Sequence, residues 1–288
     1  MIAVIVNPIA GAGLAKTIGE KVEAELTRRN IDHQLLFTAF PGHATQLAKE
    51  AAAQGATTVM SVGGDGTLSE TAAGLVHTQT ALGIIPAGTG NDFIKVIHTP
   101  AKWLEALDFI LKTPARPVDT GMMNERFFLN VCGAGFDVMV LDYALIAKKR
   151  VQGIWPYLYG VIRSIRNFKP FEMHVTIGDD KDLNAKLMLC TIANGRFIGG
   201  GIPIMPASEV DDGLLDILTV DAVPAWKIPF YLPALMTGKL MNKKIAHHYR
   251  ATKCSLSSPH MRLNLDGEIF PIEETRFECM PASLLVHW

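Results

Sequence analysis

Three glycine-rich segments in the first third of the 288-residue chain carry residue types that suit the binding of phosphate groups. They span residues 7–13, 63–67 and 86–92, and each follows a short apolar run. Glycine permits positive φ and lets a phosphate approach main-chain N–H groups, while a helix that begins after the segment adds favourable partial charge. One such segment is weak evidence, because ordinary strand-to-helix turns also use glycine. Three at successive strand ends predict a nucleotide site.

Asp65 adds a negative charge to the second glycine segment, Gly63-Gly64-Asp65-Gly66-Thr67. A carboxylate in a phosphate-binding turn repels the phosphates unless a cation lies between them, so this segment predicts a nucleotide bound with Mg²⁺. The alternative is a turn aspartate that binds its own backbone. Other nucleotide motifs do not fit. Lys16 stands where a dinucleotide fingerprint needs its third glycine, and Gly-x4-Gly-Lys-Ser/Thr is absent from the sequence.

The elements that must position these segments follow an alternating pattern up to residue 118. Parallel strands need a crossover between them, and helices that serve as crossovers cover both faces of the sheet. We therefore predict a doubly wound α/β domain with a parallel sheet over residues 1–118. The predicted strands are residues 3–6, 33–38, 57–62 and 82–85, and the predicted helices are residues 14–29, 44–54, 68–76 and 100–111.

Residues 119–288 are predicted to form a second domain, a mainly antiparallel β-sandwich, because Gly/Asp/Asn turns separate several of its strand patterns. Helical inserts are expected near residues 143–168 and 226–241. The last strand is a candidate to pack back towards the first domain, and a ligand is expected in a cleft between the domains. The predicted strands are residues 126–131, 171–177, 185–193, 214–220, 253–257, 261–265 and 284–287.

The composition is that of a globular protein, with 49% hydrophobic and 19% charged residues. A formal net charge of −1 gives no global attraction to nucleic acid, so no such partner is expected. The most apolar late stretch, residues 220–241, is interrupted by Pro224, Pro229 and Pro233, which argues against a membrane-spanning helix. The N-terminus lacks the features of a secretory signal, and the scattered cysteines are expected to be reduced thiols, as in a cytoplasmic protein.

The sequence resembles the diacylglycerol kinase catalytic superfamily, particularly the soluble bacterial lipid kinases, over nearly the whole chain. The Gly-Gly-Asp-Gly run alone is shared with NAD kinases and, when serine follows it, with phosphofructokinases. The lipid-kinase branch is favoured by residues 86–92, by residues 266–268 and by the strand-rich second half. Ser69 departs from the asparagine that is frequent at its position. The matching motifs are Asn7-Pro8 with Gly11, Thr38 with Gly42-His43-Ala44, residues 63–67, Pro86 with Gly88, Thr89, Asn91 and Asp92, residues 211–216, and Asp266-Gly267-Glu268.

The resemblance implies an enzyme that transfers the γ-phosphate of ATP, with Mg²⁺, to a hydroxyl of a neutral lipid, diacylglycerol giving phosphatidic acid by default. It also implies a structural Mg²⁺ at Glu209, Asp212 and Leu214, the first and last through backbone carbonyls, besides the cation expected at Asp65. The nucleotide-binding residues that it implies are Asn7, Pro8, Ile9, Ala10, Gly11, Thr38, Gly63, Gly64, Asp65, Gly66, Thr67, Leu68, Ser69, Glu70, Thr89, Asn91 and Asp92.

Asp266 and Glu268 are candidates for the group that takes the proton from the acceptor hydroxyl. Their i, i+2 spacing would put both side chains on one face of an extended segment, although Gly267 can instead make a turn. The alternative is an exposed acidic hairpin turn. Family members assign the base to the matching glutamate, so the resemblance implies Glu268 as the base and Asp266 as its close support.

Basic and aromatic residues in two segments suit a peripheral position on the inner face of the membrane, where the lipid substrate would be met. The segments are residues 148–169 and 226–244. Helices packed on the second domain explain both segments equally well. A homodimer is a candidate assembly. An NAD-kinase-like or other small-molecule kinase and a catalytically silent nucleotide-binding regulator remain alternative functions, and the acidic pair Asp266 and Glu268 counts against the regulator.

Overall fold

The computed structural model describes residues 1–148 and 155–288, and the chain divides into two compact units. The first unit contains Met1–Thr120 and Pro281–Trp288, and the second contains Gly121–Met280. Within the described ranges, no helix has the length and hydrophobicity needed to cross a bilayer.

The strands and helices of the first unit alternate along the chain. Two of the four predicted helices match their predicted bounds to within one residue, whereas α3 begins at Asp65 rather than at residue 68 and α5 begins at Trp103 rather than at residue 100. The elements are β1 (Ile2–Val6), α1 (Leu14–Arg28), β2 (His33–Phe37), α2 (His43–Ala53), β3 (Thr58–Gly63), α3 (Asp65–Leu75), β4 (Ala81–Pro86), α4 (Asp92–Val96), α5 (Trp103–Lys112) and β5 (Ala115–Met123).

The predicted parallel sheet of the first unit is confirmed. Its strands pair in the order β2, β1, β3 and β4, and each is parallel to its neighbour. Helices α1 and α5 pack on one face and α2 and α3 on the other, as a doubly wound fold requires. Val6 pairs with Val62, and Val62 pairs with Ile85, so the carboxyl ends of β1, β3 and β4 are level with one another.

The C-terminal residues Pro281–Trp288 belong to the first unit together with Met1–Thr120. Val286 pairs in parallel with Leu82 at the edge of the sheet. The ring of His287 lies 3.2 Å from the Thr58 hydroxyl. These contacts place residues 281–288 in the first unit.

The second unit is rich in antiparallel strands, which confirms the predicted fold class. Strand β9 lies at its centre and pairs antiparallel with β7, β8 and β12. The elements, in chain order, are β6 (Arg126–Phe128), β7 (Val131–Gly135), α6 (Phe136–Lys148), α7 (Trp155–Asn167), β8 (Phe171–Ile177), β9 (Lys181–Ala193), β10 (Phe197–Ile198), β11 (Ile202–Pro203), β12 (Leu215–Asp221), α8 (Ile228–Met236), β13 (Ala246–Ala251), β14 (Lys253–Ser257), β15 (Arg262–Leu265), β16 (Glu268–Pro271) and β17 (Glu274–His287).

Four predicted elements of the second half were wrong in their bounds, and one of them, predicted at residues 185–193, begins at Lys181. The strand predicted at residues 126–131 is divided into β6 and β7, because the N–H groups of residues 129–131 turn towards the Asp266 carboxylate. The last strand begins at Glu274 rather than at residue 284. The insert predicted at residues 143–168 contains α6 and α7, and its residues 149–154, including Lys149 and Arg150, lie outside the described residues.

Helix α5 offers a matched test of the first-unit core. Leu107 is fully buried among side chains of α1 and the sheet, whereas Leu104, one turn earlier, is 42% exposed. We expect Leu107→Ala to lower the free energy of unfolding by about 2–5 kcal/mol, because it removes buried methyl groups and leaves a cavity. Leu104→Ala should change it by less than about 0.5 kcal/mol. Urea denaturation measures both, and equal losses would contradict the assigned core.

Candidate functional site

The structure brings the three glycine segments together at the carboxyl ends of β1, β3 and β4. The Asn7 side-chain amide donates a hydrogen bond to the Thr67 hydroxyl over 3.0 Å and so joins the first segment to the second. A Cβ atom on Gly11 would lie 2.1 Å from the carbonyl oxygen of Ala87, which shows how closely the first segment approaches the third. The carboxyl edge of a parallel sheet is where open α/β folds bind ligands.

Glycine is required where the second and third segments touch. A Cβ atom on Gly88 would lie 2.5 Å from the Cα atom of Gly64, so the two backbones pass closer together than any side chain permits. Gly11 adopts φ +59°, a left-handed conformation that L side chains rarely adopt. The spacing of glycines in the sequence therefore reflects backbone contacts between the segments.

Asp65 connects the second segment to the third. Its two carboxylate oxygens accept hydrogen bonds from the Asn91 N–H over 2.8 Å and from the Asp92 N–H over 2.7 Å. From the sequence, Asp65 was expected either to face a cation or to bind the backbone of its own turn. In the structure, the main-chain groups that it binds belong to the third glycine segment. Both oxygens are thus engaged by N–H groups at the start of α4.

The electrostatics of this region depend on two neighbouring carboxylates and one lysine. Burial raises the pKa of Asp65, the negative charge of Asp92 raises it further, and the backbone hydrogen bonds and Lys95 oppose that rise. The Lys95 ammonium lies 3.0 Å from the Asp92 carboxylate and 2.8 Å from the Gly90 carbonyl oxygen. Sequence reasoning missed Lys95, whose signal was a lysine three residues after Asp92 on a short helix.

The other predicted nucleotide residues lie around the same edge of the sheet. Thr38 follows β2 directly, and its N–H donates to the Val6 carbonyl over 2.9 Å. Glu70 accepts a hydrogen bond from the Ala44 N–H over 3.2 Å and so fixes the start of α2. Among the remaining predicted residues, Ile9 and Thr89 are exposed, whereas Gly63, Thr67 and Leu68 are buried. Pro8 and Ala10 lie in the first segment, and Gly66 and Ser69 lie at the start of α3.

The two members of the predicted catalytic pair have different environments in the second unit. Asp266 accepts hydrogen bonds from the N–H groups of Leu129, Asn130 and Val131 at 2.7, 3.0 and 3.0 Å. Glu268, the first residue of β16, is exposed. Asp266 therefore stabilises the turn between β6 and β7, whereas Glu268 is exposed to solvent.

Asp137, in the first turn of α6, is an ionisable residue that sequence reasoning missed. One of its carboxylate oxygens lies 3.5 Å from the Asn264 amide, and the other is buried without a hydrogen-bond partner. A Cβ atom on Gly133 would lie 2.1 Å from this carboxylate. Burial raises the pKa of Asp137 to about 6. A glycine-rich strand end followed by Phe136-Asp137 was the available signal.

The residues predicted to bind a structural Mg²⁺ form an open turn before β12. Glu209 is exposed, and Asp212 accepts a hydrogen bond from the Leu214 N–H over 3.0 Å. The Arg250 guanidinium forms an ion pair with Asp212. Among the described residues, no group of three or more His, Cys, Asp or Glu side chains is arranged to hold a metal ion. Carboxylate and carbonyl oxygens suit Mg²⁺, but Arg250 competes for Asp212.

Comparison with known proteins assigns both halves of the chain to described domains. Residues 1–123 match the diacylglycerol kinase catalytic domain, and residues 130–288 match the YegS C-terminal NAD kinase beta sandwich-like domain. A protein named "Probable lipid kinase YegS-like" from Xanthomonas oryzae pv. oryzae is 32% identical over 275 residues, which cover 91% of this chain and 88% of that protein.

Two further relatives belong to other bacteria. The diacylglycerol kinase of Bacillus subtilis is 28% identical over 270 residues, covering 92% of this chain and 88% of that protein. A crystal structure of a candidate diacylglycerol kinase from Bacillus anthracis str. Sterne superposes with a TM-score of 0.82 at 28% identity. The superposition covers 100% of this chain and 96% of the Bacillus anthracis chain.

Removing the Asp65 carboxylate should weaken nucleotide binding. We expect Asp65→Ala to leave the Asn91 and Asp92 N–H groups without their acceptor, which lowers the free energy of unfolding by about 1–3 kcal/mol. The third segment then loses its fixed position, and we expect the dissociation constant of Mg²⁺-ATP to rise at least about tenfold, equivalent to about 1.4 kcal/mol. Calorimetric titration of the folded variant measures it. The exposed Asp32→Asn is the control, and an unchanged dissociation constant for Asp65→Ala would contradict this role.

The raised pKa of Asp137 predicts a pH-dependent stability. Because the folded-state pKa is about 6 and the ordinary value is 3.8, the carboxyl group binds its proton more tightly in the folded protein, and stability falls as the pH rises through that interval. We expect Asp137→Asn to match the parent protein near pH 4 and to exceed its free energy of unfolding by about 1–3 kcal/mol above pH 7. Urea denaturation across this range tests it, and parallel pH profiles for the two proteins would disprove the assignment.

Proposed function

The chain belongs to the lipid kinase family that joins a diacylglycerol kinase catalytic domain to a YegS-type C-terminal domain, and from that premise we propose that it phosphorylates a hydroxyl of a neutral lipid, diacylglycerol by preference. It is a phosphotransferase, and the family implies ATP as the phosphate donor. The name of the Bacillus subtilis relative, diacylglycerol kinase, supports the proposed acceptor. Phosphatidic acid would then be the product.

The observation that carries the proposal is the convergence of the three glycine segments around Asp65. Phosphoryl transfer depends mainly on positioning and on offsetting the charge of the transferred group. Main-chain N–H groups of the three segments would bind the phosphates of ATP, and Lys95 would lower the local negative charge of Asp65 and Asp92. Mg²⁺ would enter with ATP as part of the substrate.

In the proposed reaction, the acceptor hydroxyl attacks the γ-phosphorus atom, a new oxygen–phosphorus bond forms, and the bond to the β-phosphate oxygen breaks to release ADP. The hydroxyl proton passes to the Glu268 carboxylate. Asp266 supports this role indirectly by fixing residues 129–131 beside β15. A structural Mg²⁺ at the Glu209 and Leu214 carbonyls and the Asp212 carboxylate is also proposed, and it would have to displace Arg250 from Asp212.

The acceptor is tested by incubating the protein with radiolabelled ATP, Mg²⁺ and a total lipid extract, and by identifying the labelled product. We expect label in phosphatidic acid, because a neutral glycerolipid hydroxyl is the proposed nucleophile. Label in another phospholipid would retain the lipid kinase and correct its substrate. Phosphorylation of NAD without any labelled lipid would favour a small-molecule kinase, and ATP binding without turnover would favour a silent regulator.

Two substitutions separate the roles of the acidic pair. We expect Glu268→Gln to lower kcat at least about a hundredfold through loss of the general base, with no change in the urea midpoint, because the side chain is exposed. Asp266→Ala should lower the free energy of unfolding by about 2–4 kcal/mol, because three N–H groups lose a charged acceptor. Full activity of Glu268→Gln would overturn the assignment of the base.

A further inference from the structure

Helix α7 of the second unit has an exposed stripe of aromatic and aliphatic side chains. Trp155, Tyr159 and Ile162 are exposed and follow an i, i+4, i+7 spacing, which places them on one side of the helix. On its other side, Gly160 lies so close to α6 that a Cβ atom would be 2.4 Å from the Val140 carbonyl oxygen. The helix is therefore anchored to α6 and directs large apolar groups to solvent.

A second apolar group stands on the chain that leads into α8. Trp226 is 66% exposed and Phe230 is 74% exposed, and their rings meet edge to face at 6.5 Å. The Lys227 ammonium lies 5.2 Å from the centre of the Trp226 ring. Ile228 and Ala234 are buried, so α8 is fixed to the unit by its opposite side. Large aromatic rings are rarely left in water without a partner to cover them.

These two groups belong to one region of the second unit. The turn Ala225–Lys227 contacts α7, and Phe168, just after α7, packs with Ile228 in a common apolar cluster. We call the exposed side chains of this region the aromatic surface, defined as Trp155, Tyr159, Ile162, Trp226 and Phe230.

The charged side chains of the segments that carry the aromatic surface are all basic, and the acidic residues nearest to them in the chain are Glu172 and Asp221. Residues 155–171 and 222–265 contain no Asp or Glu, although the chain as a whole has 28 acidic and 27 basic residues. Such a one-sided distribution is complementary to an anionic lipid headgroup layer. The cations in or next to the elements that carry the surface are Arg163, Arg166, Lys169, Lys227, Lys239, Lys243 and Lys244.

A cavity of about 330 Å³ lies beside the aromatic surface, between the end of α7 and the start of α8. Apolar residues that line it include Phe168, Val223, Pro224 and Ile228, and Lys186 lies among the lining residues. Apolar groups together with a basic residue suit a lipid, which offers an acyl chain and a phosphate. This cavity gives the surface a second feature that suits lipid.

We propose that the aromatic surface is the site at which the protein docks onto an anionic lipid bilayer, with Trp226 and Phe230 entering the headgroup region and the surrounding lysines and arginines binding phosphate groups. Aromatic side chains that carry a polar or cationic neighbour favour this depth of the interface. The inference rests on the proposed lipid kinase, because an enzyme that takes its acceptor from a bilayer must first lie on it.

The depth of Trp226 in the bilayer provides a direct test with the full chain. The variant Trp103→Phe/Trp155→Phe/Trp288→Phe leaves Trp226 as the sole tryptophan. With phosphatidylcholine–phosphatidylglycerol vesicles we expect a blue shift of its emission, and stronger quenching by a nitroxide at acyl carbon 5 than at carbon 12. The control variant that leaves only Trp103, which packs against the first-unit core, should show neither effect.

Vesicle cosedimentation supplies the second test. We expect Phe230→Asp to weaken binding to phosphatidylcholine–phosphatidylglycerol vesicles at least tenfold, while the matched change Leu104→Asp, at an exposed position of α5 in the first unit, leaves binding unchanged. Both variants should keep the parent's turnover of a short-chain, water-soluble diacylglycerol. Unchanged vesicle binding by Phe230→Asp, or an unquenched Trp226, would overturn the docking surface and leave the proposed kinase intact.

Two other outcomes distinguish the competing explanations. If the parent protein is a dimer by light scattering, Phe230→Asp is a monomer and neither binds vesicles, the surface joins two copies of the chain and the bilayer proposal is wrong. Vesicle binding through Phe230 without turnover of any lipid, soluble or in vesicles, would support the docking surface and reject the proposed kinase.

Discussion

The edge of the first unit where the three glycine segments meet depends on one carboxylate, which accepts hydrogen bonds from main-chain N–H groups of a different segment. Asp65 accepts hydrogen bonds from the Asn91 and Asp92 N–H groups, and these bonds hold the third glycine segment against the second. The backbones of Gly64 and Gly88 are then so close that no side chain fits between them. The arrangement concentrates two carboxylates in a partly buried region, which is costly unless hydrogen bonds and a cation offset the charge. Lys95 and the two N–H groups supply that compensation.

The second unit uses the same device at a different place. Asp266 accepts hydrogen bonds from three N–H groups, and these bonds interrupt the strand that the sequence predicted as continuous over residues 126–131. The turn aligns β7 with β15, in which Leu265 pairs with Cys132. Asp266 was expected from the sequence to support the chemistry at close range, and in the structure its carboxylate accepts hydrogen bonds from three consecutive main-chain N–H groups. Its neighbour Glu268 keeps a free approach to solvent.

The parallel half of the fold was predictable because β1, β3 and β4 are buried on both faces and read as continuous apolar runs, and because helical patterns separate the strands. The resemblance to lipid kinases, confirmed by both domain matches, came from short motifs at strand ends. What the sequence could not supply were the partners of polar side chains. Strand β13 was missed because His247, His248 and Arg250 make it polar, and Asp216 and Asp221, which pair with these histidines, lie on another strand.

The distinction between nucleotide binding and acceptor choice follows from where specificity is encoded. In the proposed reaction, the glycine segments would bind ATP through main-chain groups, which carry no information about the acceptor. Side chains would have to supply that information, and the second unit offers a buried carboxyl group in Asp137, an exposed carboxylate in Glu268 and the aromatic surface. Substrate preference in such a kinase can therefore change through the second unit while the Gly-Gly-Asp-Gly turn stays the same, which is why that turn is the least selective part of the site.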